Sequence, residues 1–257
     1  MYFDSHCHLD RIDLDSFNND FDTLLQAISD GDVTRLICIG VDLDSFDSMQ
    51  QLIQPYDHVF CSAGVHPDYA DATEPSVERL CELAEGSKVV AIGETGLDYF
   101  HQSGDLDWQR KRFVTHIEAA RSCRLPLIIH TRNARQDTLD LLRQHKANEV
   151  GGVLHCFTED WEMARAAIDL GFYISISGIV TFTQAQNVRD MAQQIPLERL
   201  LIETDSPWLS PAPYRGKVNH PGRVGLVAEK LAEIRGESLE TLASATYQNA
   251  NRLFGLS

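Results

Sequence analysis

Short apolar, β-branched runs return eight times along the 257 residues, each followed by a longer amphipathic stretch, and this rhythm constrains the fold more than any other feature. The runs fall at 2–8 (YFDSHCH), 35–40 (RLICIG), 59–65 (VFCSAGV), 89–94 (VVAIGE), 126–131 (PLIIHT), 151–157 (GGVLHCF), 172–178 (FYISISG) and 199–204 (RLLIET). Between them lie helical patterns such as SFDSMQQLIQPY, SVERLCELAEG, LDWQRKRFVTHIEAARSC and ARQDTLDLLRQHKA. Ser45, Ser76 and Asp160 are expected helix N-caps, and Gly86 and Gly171 expected helix stops. Eight strand–helix units in a chain of this length predict an α/β fold, a (β/α)8 TIM barrel. A doubly wound open sheet is the alternative, but its usual glycine-rich phosphate loops, G-x-G-x-x-G and G-K-S/T, are absent. No linker divides the chain, so a single domain over 1–257 is expected.

Barrel enzymes carry their chemistry at the C-terminal ends of the strands. The expected strand ends bear His6 and His8, then His66, Glu94, His130, His155 and Asp205. Only the second and seventh strands, ending in CIG and ISG, lack a strong ligand type. Alternation of side chains along a strand puts His6 and His8 on one face with Asp4 and Asp10, and turns Cys7 to the other. An isolated H-x-H is equally well a solvated pair. Four further candidate ligands at matching strand ends, Glu94, His130, His155 and Asp205, favour a metal centre.

Glu94 is an acid in a buried-looking strand, where an unpaired charge is costly and a cation relieves it. Its two oxygens can bridge two ions about 3.5–4 Å apart, as in two-metal hydrolytic sites. His130 and His155 would complete one ion, His6 and His8 the other, with Asp205 beside them positioned to handle the attacking water. Imidazole-rich ligation suits Zn, Mn or Co, with Mg also possible. Two divalent ions per chain are expected, lowering the pKa of a bound water from about 15.7 to about 7 and so supplying hydroxide. Glu94 and Asp205 are the expected catalytic residues.

The blocks FDSHCHLD, GVHPDYA, IGETGLDYF, LIIHTRNA, LHCFTED and LIETDSPWLSP, in this order, resemble the signature blocks of the TatD family of metal-dependent deoxyribonucleases, within the amidohydrolase-like barrels. The resemblance runs from the first strand to NANRLFG near the C-terminus. It implies a TIM barrel with a divalent-metal centre at its mouth and hydrolysis of phosphodiester bonds in DNA. The family's metal ligands fall on His6, His8, Glu94, His130, His155 and Asp205. One departure is YRGKVNHPGRV, with His220 where the family often has Glu, in a loop expected to border the cleft.

Around the centre, His66 is expected to contact a phosphate or leaving group. Asp98, four residues past Glu94 and expected in a loop, would orient a ligand. Arg132 could clamp a phosphate with its fork, or pair with an acid at the rim. Trp208 could stack on a base, as could Tyr214, though rim aromatics also simply cover a barrel mouth. Cys156 is expected to point away from the metals. None of the six cysteines forms a C-x-x-C pair, and buried free thiols are expected.

With 22 basic and 38 acidic residues the formal charge is −16, which argues against a broad nucleic-acid-binding surface but not against a phosphate held by metal ions in one cleft. The expected substrate is therefore DNA or a small phosphodiester. A metal-dependent carboxyl-ester or amide hydrolase, acting on a lactone or an aminoacyl-tRNA ester, is the enzyme alternative, and a non-catalytic metal-binding scaffold the third. No apolar run approaches a membrane span, and MYFDSHCHLD has neither a basic n-region nor an apolar h-region, so no secretory signal and a cytoplasmic location are expected, without a membrane or an obligate protein partner.

Overall fold

The computed structural model describes residues 1–256. Eight parallel strands stand in sequential order: β1 Tyr2–Cys7, β2 Val33–Ile39, β3 Val59–Ala63, β4 Val89–Asp98, β5 Leu127–Arg132, β6 Gly152–Leu154, β7 Tyr173–Ile176 and β8 Leu200–Ile202. Sequential order with helices between is the expected TIM barrel and rules out the doubly wound sheet. Closure runs through the residues just beyond β8. The Asp205 N–H donates to the His6 carbonyl (2.9 Å) and the His8 N–H to the Ser206 carbonyl (2.8 Å).

The strands read as continuous apolar runs because both faces are covered. Ile37, Ile39, Ile128, Val153 and Leu201 fill the barrel interior with Phe3, and Phe254 and Ala250 of the last helix plug it from below. Their strand neighbours Leu36, Cys38, Leu127, Ile129, Leu154 and Ile202 pack outward into the helical layer. The helices are α1 Phe21–Asp30, α2 Phe46–Ile53, α3 Val77–Ala84, α4 Asp107–Cys123, α5 Arg135–Gln144, α6 Trp161–Asp169, α7 Gln186–Ala192, α8 Val224–Arg235 and α9 Leu239–Phe254. Ser76 and Asp160 cap α3 and α6 as expected, accepting from Arg79 N and Met163 N. Ser45 does not; its side chain makes no cap bond, and its own N–H is held by Asp42 at 2.7 Å. Among the described residues no helix is long and apolar enough to cross a membrane.

Two β-bulges set the positions of side chains at the barrel mouth. On β1, Asp4 is level with Leu36 and Cys7 with Cys38, three steps against two. On β4, Ile92 is level with Leu127 and Thr95 with Ile129, again three against two. A bulge breaks the period of two and re-aims a side chain, and such bulges cluster beside active sites. The β4 bulge contains Gly93 at φ +143°, where a Cβ would lie 2.5 Å from the Ile128 carbonyl oxygen. Only glycine fits there.

The helix α4 carries a buried polar row that grips the loop after β3. The Gln109 side chain accepts from Asp98 N (3.0 Å) and donates to the carbonyls of Pro67 (3.0 Å) and Asp98 (3.1 Å). Arg112 lies over the Trp108 ring, pairs with Glu74, and donates to the carbonyls of His66 (3.0 Å) and Tyr69 (2.9 Å). His116 donates from Nδ1 to the Arg112 carbonyl (2.8 Å) and accepts the Val65 N–H at Nε2 (3.0 Å). Burial pulls its pKa down to about 4.

These features carry two predictions. Gly93→Ala should lower stability by more than about 2 kcal/mol, read as a lower urea midpoint, or prevent soluble folding; an unchanged midpoint would contradict the close approach. His116 is neutral in the fold, whereas an unfolded histidine protonates near pH 6.5. Its stability contribution is therefore full above that value and is lost as pH falls from about 6.5 towards 4, amounting to about 3 kcal/mol. Urea midpoints across that window should fall less steeply for His116→Gln than for the natural chain.

Candidate metal centre

Glu94 stands at the middle of the barrel mouth, 2 % exposed and within the β4 bulge. Its two oxygens face different groups. Oε2 lies 3.3 Å from His6 Nε2. Oε1 lies 2.7 Å from His155 Nε2, 3.2 Å from His66 Nε2 and 3.3 Å from His130 Nδ1. On the Oε2 side, His6 Nε2 and His8 Nε2 are 3.3 Å apart, with Asp205 Oδ1 at 3.6 and 3.5 Å from them. On the Oε1 side, His130 Nδ1 and His155 Nε2 are 3.4 Å apart. The His6 and His155 rings stack across the centre at 3.9 Å. The six expected metal ligands, with His66 beside them, are thus brought together.

The electrostatics fit a cation. Burial would raise the Glu94 carboxyl, yet the imidazoles of His155, His66 and His6 outweigh it and hold its pKa well below the usual carboxylate range. Among the described residues no lysine or arginine pairs with Glu94; its ionic contacts are all histidines. Two pairs of imidazole nitrogens face each other at 3.3–3.4 Å around this charge. A divalent ion of the zinc or manganese type, bound through the nitrogen lone pairs and the carboxylate oxygens, satisfies nitrogens facing each other in this way. Residue groups able to hold an ion include His6, His8 and Asp205 on one side and the histidines around Glu94 on the other.

The surrounding residues orient these ligands. Asp98 Oδ2 accepts from His130 Nε2 (2.9 Å), which leaves the Nδ1 lone pair facing Glu94. The same oxygen lies 2.9 Å from His101 Nδ1, while Oδ1 accepts the N–H of Phe100 and of His101 (2.8 Å each). Burial opposes ionisation of Asp98, but the hydrogen bonds from His130 and His101 hold its pKa far below the ordinary value. Asp98 is the last residue of β4, not a loop residue as expected, because the bulge lets the strand run on past Glu94. His66 follows β3 by three residues, and its Nδ1 accepts the Asp68 N–H (3.1 Å). Its proton therefore sits on Nε2, making it a donor towards the centre.

Four expectations need correction. Asp4 does not share the face of His6: the β1 bulge turns it into the β1–β8 seam, where it accepts from Thr204 N (2.9 Å) and Thr204 Oγ1. Asp10 lies in a short 3-10 turn, beside Arg11 and the Cys38 thiol, because β1 ends at Cys7. Cys156 lines the cleft: β6 ends at Leu154, so alternation no longer governs it, and it adopts φ +42°. His220 lies away from the cleft, edge-on to Phe17 and partly buried, and Asn219 beside it ties the loop to the carbonyls of Thr204 (3.1 Å) and Trp208 (2.7 Å). Cys7 packs outward as expected, its thiol donating to the Ile37 carbonyl.

The cleft above the centre encloses about 700 Å³. Trp208, half exposed and edge-on to His8 at 5.0 Å, forms one wall. Arg132 stands opposite in the lining, its guanidinium 4.0 Å over the Phe100 ring. Among the described residues no carboxylate pairs with Arg132, so the rim ion pair considered for it is not formed; a guanidinium nitrogen lies 3.4 Å from His101 Nε2 instead. Tyr214 lies outside the cleft, under Arg223. Sequence reasoning missed Glu203, fully buried, which accepts the Cys156 N–H (2.7 Å) and lies 3.4 Å from His155 Nδ1. An acid ending an apolar strand, the signal that picked out Glu94, was equally present there. His101 was missed because it stands beyond the strand.

Residues 3–255 match the TatD related DNase family. The chain is 47 % identical over 252 residues to the metal-dependent hydrolase YcfH of Escherichia coli K12, covering 98 % of this chain and 94 % of that protein. It is 33 % identical over 247 residues to the 3'-5' ssDNA/RNA exonuclease TatD of Escherichia fergusonii, covering 94 % and 95 % of the two chains. The crystal structure of YjjV, a TatD homologue from Escherichia coli K12, superposes with a TM-score of 0.90 at 29 % identity over 100 % of this chain and 98 % of that one. A match of this extent, on a barrel with histidines and acids gathered at its mouth, means that the chain belongs to the TatD family of metal-dependent hydrolases.

Proposed function

We propose that the chain is a phosphodiesterase that cuts single-stranded nucleic acid at a centre for two divalent ions. The observation that carries this reading is the division of Glu94, one oxygen turned to His6 and the other to His130 and His155. His6, His8 and Asp205 would hold one ion, His130 and His155 the other, with Glu94 shared. Such ions supply Lewis-acid stabilisation of phosphoryl oxygens and ready deprotonation of water at neutral pH.

The protein's own groups do the rest. Burial opposes ionisation of Asp205, but the bond from His8 and the nearby His6 and His155 lower its pKa, so the carboxylate is ionised at neutral pH and able to take a proton from the attacking water at Oδ1. His66 donates from Nε2 to a phosphoryl oxygen. Asp98 keeps His130 in the tautomer whose Nδ1 faces the centre. Arg132, without a carboxylate partner among the described residues, holds a flanking phosphate with its fork, and Trp208 offers a face to a base.

Substrate size follows from the cleft. About 700 Å³ lies within the range of small-ligand pockets, roughly 300–1,000 Å³, room for the end of one strand rather than for a long stretch of it. The name of the Escherichia fergusonii relative, an exonuclease of single-stranded DNA and RNA, supports the same class. An unpaired arginine beside the centre favours a phosphodiester over the carboxyl-ester alternative.

Metal analysis of the purified chain should return two divalent ions per molecule, and Glu94→Ala well below one. The same variant should lose at least about 100-fold in cleavage of a single-stranded oligonucleotide. Retained metal and activity would end the proposal. Arg132→Ala should raise KM about 10-fold, close to 1.4 kcal/mol, with kcat little changed, and Arg132→Lys should restore part of it. An equal loss in kcat would place the arginine's contribution in the transition state instead.

A further inference from the structure

All six cysteines are free thiols. Cys7, Cys38 and Cys61 are sealed in the layer between barrel and helices, and Cys156 lies in the cleft with its sulfur 3.2 Å from Ser177 Oγ. Cys81 and Cys123 are different. Cys81 projects from α3 and Cys123 ends α4, and both are only partly buried. Their sulfurs lie 2.8 Å apart, with Cys123 donating to Cys81 across 42 residues of chain. Two helices packed side by side therefore present a pair of facing thiols within reach of small oxidants, the arrangement a disulfide requires.

We propose that Cys81 and Cys123 form a peroxide-sensitive dithiol that closes reversibly into a disulfide stapling α3 to the end of α4. The Cys81 thiolate attacks one oxygen of hydrogen peroxide. The O–O bond breaks, leaving a sulfenic acid on Cys81 and a hydroxide that takes up a proton to become water. The Cys123 sulfur then attacks the Cys81 sulfur, the S–O bond breaks, and the oxygen departs as a second water with the Cys123 proton. The two thiols give up two electrons and the peroxide accepts them. Burial and the contact with Cys81 push the Cys123 thiol up to about 12. The Cys123 S–H points at the Cys81 sulfur, which places the two sulfurs for the second step whichever of them meets the peroxide first.

The consequence reaches the functional centre. The segment between the two cysteines contains β4 with Glu94 and Asp98, and then Gln109, Arg112 and His116 of α4, which hold the His66 loop. Closing the pair encloses that whole unit in one covalent loop and restricts it in the unfolded chain.

The test treats the full chain with hydrogen peroxide, alkylates it after denaturation and maps the peptides. Thiols should fall from six to four, with one Cys81–Cys123 peptide that dithiothreitol releases. The Tm should rise by roughly 5–10 °C on oxidation and return on reduction. Cys81→Ser and Cys123→Ser should each abolish the link and the rise, and Cys156→Ser should leave both. Persistence of six thiols, a link joining other cysteines, or oxidation that stops at sulfinic acid without a linked peptide would each overturn the proposal. Mapping the natural chain gives the answer even if a serine variant folds poorly.

Discussion

The structure depends on a carboxylate placed where no carboxylate would sit alone. Glu94 is sealed at the barrel mouth, and every ionic contact it makes is to an imidazole. A charge at this depth costs several kcal/mol unless it is compensated. Here the compensation is assembled from β1, β5, the loop after β3 and the residue after β6, so the barrel has to close before the charge is tolerable. The site and the closed fold are one requirement seen from two sides.

The backbone bends to meet it. Regular strands would alternate side chains strictly, but β1 and β4 each insert one residue at the mouth. The β1 bulge sends Asp4 into the seam with Thr204, and Asp205 follows directly, tied by its N–H to His6. The β4 bulge turns Glu94 to the centre and still lets the strand continue to Asp98, which orients His130. Both bulges lie against residues of the centre, and glycine at 93 is what allows the second to approach β5.

Outside the barrel, α4 acts as a brace. Gln109, Arg112 and His116 spend their hydrogen bonds on carbonyls and amides of the 65–69 stretch and of Asp98, so a helix carrying none of the central groups fixes where His66 stands. In a strongly acidic chain, positive charge that is to act on a phosphodiester, as proposed above, has to be concentrated rather than spread. The cleft gathers its imidazoles at the floor and sets Arg132, which has no carboxylate partner among the described residues, in its wall.

Local pattern alone determined a good deal. Continuous apolar runs spaced by amphipathic stretches specify a barrel, because a parallel strand buried on both faces and a helix buried on one leave those periods in the chain. Histidines and acids at the ends of those runs marked His6, His8, Glu94, His130, His155 and Asp205, since strand ends in a barrel converge whatever their distance in sequence. Where the period broke, the reading broke with it: Asp4 and Asp98 were misplaced at bulges, and Cys156 beyond the last residue of β6. Tertiary structure decided the rest. Glu203 beside His155, Asn219 holding Trp208, the α4 brace and the facing pair Cys81 and Cys123 are contacts between segments tens of residues apart, and Asp4 meets Thr204 across 200. No periodicity records such a meeting, because it depends on which faces the closed barrel turns toward each other.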